Sequence, residues 1–204
     1  MIPKIIHQLW VGPKEMPVAY MDTWTEKHPD WAYMLWNEER MKAHKFVNQR
    51  HIDFYMERGI WHGVADVATY EILRDFGGFM AAADSECLLP VDELFEDDAF
   101  DAFAVYENEI AAPGLVSPLT ACKIGSSFAT ALIEGLARKE EVGTPWKTTG
   151  NRFMQETIEG GEWPRLKMFP SHFFNPTHWT GRKYEGAGKV YAIQHWGTTR
   201  KLYK

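Results

Sequence analysis

A chain of 204 residues is long enough for one domain with its own core, and 25% charged with 45% hydrophobic residues excludes a disordered or fibrous chain. A net charge of −6 without any Lys/Arg stripe argues against nucleic-acid binding, which depends on neutralising many phosphates. Two cysteines, Cys87 and Cys122, lie outside any CxxC or metal-ligand spacing and fit a reducing compartment, with a single disulfide left open. The N-terminus MIPKIIHQLW is too short and polar for a signal peptide. No stretch approaches the roughly 18 apolar residues of a membrane span, so the expected location is cytoplasmic. Nine Trp, eight Tyr and twelve Phe supply flat faces that either fill a core or stack on sugar rings and nucleobases.

Residues 4–11, KIIHQLWV, form a β-branched run closed by Gly12-Pro13, which predicts a buried first strand with Trp10 at its end. Helix-like TWTEKHPDW then leads into the aromatic strand AYMLW and polar NEE, an alternation that suggests βαβ units. Val64, Ala68, Ile72 and Phe76 recur every four residues and predict a helix ending at Gly77-Gly78. FMAAA resumes as a strand and turns polar at Asp84-Ser85-Glu86, which puts Asp84 at the carboxyl edge of a parallel sheet, where ligands bind. AFDAFAVYENE reads as a further strand, FATALIEGLARK as an amphipathic helix and KVYAIQHW as a last strand. Residues 142–188, rich in Gly, Pro and aromatics, read as loop. The whole, 1–204, reads as a single α/β domain.

Four blocks in order, IPKIIHQLWVG, WTEKHPDWAYMLWNEE, VADVATYEILRDFGGFMAAADSECLLPVDEL and YAIQHW, give the chain a family resemblance. It resembles the DXD-containing glycosyltransferases of family 32, the sugar-binding-region family related to Golgi initiating mannosyltransferases and, more distantly, to the clostridial glucosylating toxins. The resemblance implies a GT-A fold, Rossmann-like, with a mixed, mainly parallel sheet flanked by helices. It further implies a UDP- or GDP-sugar donor, Mn²⁺ or Mg²⁺, and hexosyl transfer with retention. A divalent cation bridging the diphosphate would stabilise the charge that develops on the leaving group.

By the same resemblance Trp10 stacks on the donor base, with Leu9 and Val11 giving backbone contacts beside it. Asp66 matches the position whose carboxylate approaches the donor sugar; otherwise it is a helix-start carboxylate favoured by the dipole. Ala83 and Asp84 match the end of the DXD motif, and Asp84 is its metal ligand. In the toxins an acidic residue and a Ser three positions later join that ligand, and His195 with Thr198 has this spacing here; an imidazole ligand favours Mn²⁺ over Mg²⁺.

The sequence departs from the family in three places. The first Asp of DXD is Ala82, Thr69 stands where an Arg is usual, and Gln194 with Arg200 replaces part of the closing motif. Glu86 forms a DxE pattern with Asp84, or is a solvated edge residue. These departures leave two functions open: an active transferase with a glycan, lipid-linked or protein acceptor, and a catalytically silent relative that binds sugar nucleotide or glycan.

Overall fold

The computed structural model describes residues 1–118, 120–197 and 199–200. In chain order the elements are β1 (Ile5–Leu9), α1 (Val18–Lys27), β2 (Ala32–Trp36), α2 (Glu38–Ala43), α3 (Gln49–Glu57), α4 (Trp61–Phe76), β3 (Gly78–Met80) and β4 (Ser85–Cys87). There follow β5 (Ala102–Asn108), β6 (Ala112–Val116), β7 (Ala121–Cys122), α5 (Ser127–Ala137), α6 (Pro145–Thr148), α7 (Asn151–Glu159), β8 (Leu166–Phe169) and β9 (Ala192–Gln194). Seven strands form one sheet in the order β2-β1-β3-β7-β5-β6, with β8 also paired to β5. The pairings make β1, β2, β3, β5 and β8 run one way and β6 and β7 the other, a mixed sheet dominated by one direction. Strands β4 and β9 pair separately as a two-stranded antiparallel ribbon.

Alternation along the strands builds a core on each face of the sheet. Ala102 and Ala104 join the cluster containing Tyr55, Tyr70, Leu73 and Leu132, whereas Phe103 and Val105 join Trp24, Phe79 and Tyr191 on the other side. Buried His7 pins three elements together. Its Nε2 lies 2.8 Å from the carbonyl of Gly77, and its Nδ1 accepts the Trp36 indole N–H at 3.1 Å. Nδ1 as acceptor puts the proton on Nε2 of a neutral ring, and burial holds the pKa down at about 4.

Several boundaries differ from the expectation. Helix α1 starts at Val18, ahead of the predicted segment, and ends before the His28-Pro29 pair, since the residue preceding a proline disfavours helix. The strand after Gly77 lasts only three residues. Ala81 still donates its N–H to the His7 carbonyl at 2.9 Å, after which the chain leaves the sheet. Residues 142–188 hold α6, α7 and β8 rather than plain loop. Both cysteines are free and buried. Among the described residues no helix is long and apolar enough to cross a membrane.

Candidate active site

Parallel strands deliver their ends to one edge, and the candidate residues gather there. β1 ends beside Trp10, whose N–H donates to the Trp36 carbonyl at 3.0 Å, so Trp10 continues the parallel pairing just past Leu9. Its indole N–H donates to the Lys14 carbonyl at 2.9 Å, which anchors the partly buried ring. Val11 is buried in the core and Leu9 packs against it, so their side chains are structural. Gly12 allows this edge to meet α4. A β-carbon there would lie 2.6 Å from the Trp61 ring, and its φ of +100° suits glycine. Trp10→Ala is expected to weaken nucleotide binding by roughly 1–3 kcal/mol, the range for loss of a base–aromatic stack. Calorimetric titration with UDP and GDP checks it, and unchanged affinity in a folded variant would return Trp10 to a packing role.

The turn after β3 sets Asp84. Ser85 donates its N–H and its hydroxyl to the Ala82 carbonyl at 3.0 and 2.6 Å, closing a tight reversal that leaves Ala82 exposed and Ala83 buried. Partly buried Asp84 is then gripped by the C-terminal ribbon. Oδ1 accepts from Gln194 Nε2 at 2.6 Å, Oδ2 from the Gly197 N–H at 2.8 Å, and the main-chain carbonyl from the His195 N–H at 3.0 Å. Trp196 makes this possible by adopting φ 57°, a left-handed conformation that costs a bulky residue about 1–3 kcal/mol.

His195 adjoins Asp84 through its backbone, but its ring points elsewhere. Nε2 lies 3.1 Å from Glu86 Oε2, and the ring stacks on Tyr20 at 4.1 Å with planes 12° apart. Glu86 is thus a hydrogen-bond partner for His195 rather than a second carboxylate beside Asp84. Among the described residues no three His, Cys, Asp or Glu side chains converge as a metal cage. Thr198 lies outside the described residues.

Asp66 sits on the first turns of α4 with its carboxylate partly open to water yet closely surrounded by protein. Thr149 Oγ1 is its sole described donor, at 3.4 Å, and the backbone of Gly150 crosses so closely that a β-carbon would lie 2.5 Å from Oδ2. Tyr55 and Tyr70 stand behind it, tied to Thr149 by hydrogen bonds of 3.3 and 2.6 Å. Burial with so little compensation raises the Asp66 carboxyl to about 7. Glu71, further along the same helix, shows the contrast. It is fully buried but accepts from the Val47 and Asn48 N–H groups and the Asn48 amide, a structural carboxylate with its acceptors used.

A wall of polar and aromatic groups joins Asp84 to Asp66. Gly197 follows Trp196, whose ring meets His178 edge-on at 5.6 Å. His178 Nε2 lies 2.9 Å from Glu107 Oε1, and Glu107, near the end of β5, also accepts from Asn151, next to Gly150. Of these, only the Trp196 region fell within a sequence motif. Glu107 could have been found by the reasoning that found Asp84, as a carboxylate at a strand's carboxyl end; His178 and Asn151 gave no local signal. Gln194, noted in the sequence only as a departure, is a direct partner of Asp84.

Solved structures share this architecture. The chain superposes on the PaToxG glycosyltransferase with a TM-score of 0.60 at 13% identity, covering 78% of this chain and 69% of that one. A glycosyltransferase involved in glycosylation of the major capsid of PBCV-1 gives a TM-score of 0.53 at 12% identity, over 98% of this chain and 96% of that one. The fold is therefore that of the GT-A glycosyltransferases. Residues 15–101 match the family model described as a glycosyltransferase sugar-binding region containing a DXD motif. The segment includes Asp66 and Asp84. Inositol phosphoceramide mannosyltransferase 1 of Schizosaccharomyces pombe is 30% identical over 111 residues, 48% of this chain and 33% of its own length. The mannosyl phosphorylinositol ceramide synthase SUR1 of Saccharomyces cerevisiae is 30% identical over 109 residues, 50% of this chain and 27% of its own. The chain thus spans about a third or less of these relatives.

Proposed function

We propose that the protein transfers a hexosyl group from a nucleotide-sugar donor, with retention, to a saccharide-bearing acceptor. The observation that carries this reading is Asp84, a carboxylate at the carboxyl edge of the sheet, inside the family-matched segment and held in place by the β9 segment. Trp10 would take the base, and the backbone beside it the ribose. Asp66, accepting one long hydrogen bond, has capacity left for donor hydroxyls. As both Asp84 oxygens already accept a hydrogen bond, each keeps about one lone pair, which fits a cation brought in with the diphosphate better than one caged by protein. A divalent ion at that position would neutralise the charge of the departing nucleoside diphosphate. With His195 engaged by Glu86, the proposed protein ligand is Asp84.

One observation favours the silent alternative: the exposed methyl of Ala82 offers the donor none of the hydrogen bonds of the family's first Asp. A thermal-unfolding screen of UDP, GDP and their hexoses with and without Mn²⁺ separates the readings when joined to a donor-hydrolysis assay. Because one of these relatives is named a mannosyltransferase and the other a mannosyl phosphorylinositol ceramide synthase, GDP-mannose heads the panel. Ligands that bind only the folded state raise the transition, by about 2.7 kcal/mol at 100 times Kd. Stabilisation with hydrolysis supports the transferase, stabilisation without hydrolysis the silent nucleotide binder, and no stabilisation by any nucleotide contradicts both of these and leaves a glycan binder.

A further inference from the structure

A recess lies next to the one-turn helix α6. An open groove of about 530 Å³ runs between β6 and helices α6 and α7, lined by Pro113, Leu115, Trp146, Lys147, Arg152 and Gln155 among others. That volume lies within the roughly 300–1,000 Å³ of small-ligand sites. Trp146 is 48% exposed, although the chain buries Trp24 and Trp36 almost completely. Lone exposed apolar residues are ordinary on protein surfaces. Trp146 is distinguished by how its backbone is held.

It sits on the one-turn helix α6, which is tied down on both sides. The Tyr55 hydroxyl donates to the Gly143 carbonyl at 3.0 Å and lies 3.1 Å from Thr148 Oγ1, while the Tyr70 hydroxyl donates to the Thr149 carbonyl at 2.6 Å. The indole is therefore presented from a fixed backbone, which lowers the entropy lost on binding. The Lys147 ammonium lies 5.3 Å from the ring centroid. Arg152 and Glu156 pair at 3.0 Å along the neighbouring helix, offering both donors and acceptors to hydroxyl groups. Gly150 links this groove to the first site. A β-carbon on it would lie 2.5 Å from Asp66 Oδ2 and 3.3 Å from the Trp146 Cα, so the backbone that carries Trp146 passes beside the Asp66 carboxylate.

We infer that this groove is the acceptor subsite and that it takes a pyranose ring, stacked on Trp146 with its hydroxyls on Arg152 and Glu156. A pyranose presents a C–H face to the indole and equatorial hydroxyls at its rim, matching an aromatic floor edged by charged groups. The inference rests on the transferase reading for its role as acceptor, but the binding itself needs no donor.

The test uses methyl α-D-mannopyranoside and the corresponding glucoside and galactoside, titrated into donor-free protein and followed by the indole N–H resonance of Trp146, assigned by its loss in Trp146→Phe. At least one glycoside should shift that resonance saturably. Affinity, read from the glycoside's own line broadening, should fall at least tenfold in Trp146→Ala and only a fewfold in Trp146→Phe, with unchanged thermal transitions. In assays with donor, Trp146→Ala should raise the KM for glycoside while donor hydrolysis by water stays at the parent rate. No shift with any glycoside, equal affinity in parent and Trp146→Ala, or a shift that follows protein concentration instead, as for self-association, would overturn the proposal. Failure of the transferase reading looks different: no donor binding or hydrolysis in the parent, with glycoside binding intact.

Discussion

Asp84→Asn is expected to lower transfer on the order of 10²–10³-fold, the loss typical of removing one electrostatic group aimed at developing charge. The same change also disturbs the fold locally. An amide at this position can accept from only one of Gln194 and Gly197, and its NH₂ faces the other donor, leaving a partly buried N–H unpaired at a cost of about 1–3 kcal/mol. Gln194→Ala separates the two effects, since it removes the donor at 2.6 Å but leaves the carboxylate charged. That variant should lose about 1–2 kcal/mol of stability and keep turnover within a fewfold of the parent. Urea unfolding and initial-rate assays on both variants check this. Equal loss of activity in the two would make Asp84 a structural tie for the C-terminal ribbon.

Asp66→Asn is expected to affect stability and function in opposite directions. The folded carboxyl has a pKa of about 7, above the ordinary 3.8, so folding favours the protonated form. The resulting penalty is absent below the unfolded value, grows as pH rises through the interval and is complete above the folded value. An uncharged, isosteric amide removes it. Asp66→Asn should therefore be more stable than the parent by about 2 kcal/mol at pH 8 and nearly equal to it at pH 4. This is half the limit of ~4 kcal/mol that an interval from 3.8 to about 7 allows, because the carboxylate is partly open to water. Donor affinity should fall about 10- to 100-fold at pH 8, the worth of a hydrogen bond to a charged group. Unfolding at both pH values with donor titration measures both effects. A variant that is destabilised at pH 8, or that binds donor like the parent, would assign Asp66 to the fold alone. A carboxylate that weakens the fold and strengthens binding is what a site residue does.

How much of this was legible depended on whether a residue's partners lie near it in sequence. The apolar stripe from Val64 to Phe76, ending at glycines, fixed α4, and its direction fixed the place of Asp84 after the next strand. The fourfold spacing was visible because α4 is buried along much of its length. Helix α7 was not visible, since only Phe153 and Met154 of its nine residues are buried and its glycine and proline neighbours read as loop. The site suffers the same limit more strongly. Asp84 is held by residues 110 and 113 positions away, and Asp66 is crossed by a backbone some 80 residues downstream. His195 was assigned by spacing to the metal, yet the side chain that decides its direction is Glu86, across the β4–β9 ribbon. A spacing pattern records which residues recur, not which way a ring turns.

The most direct test of the central claim is the rate of hexose release from GDP- and UDP-sugars by the parent protein with Mn²⁺, compared with Asp84→Asn and with the parent in excess chelator. The predicted result is release from at least one donor that needs Mn²⁺ and falls on the order of 10²-fold or more in Asp84→Asn. Release that proceeds equally in the variant, or no release from any donor by a parent that binds it, would contradict the claim.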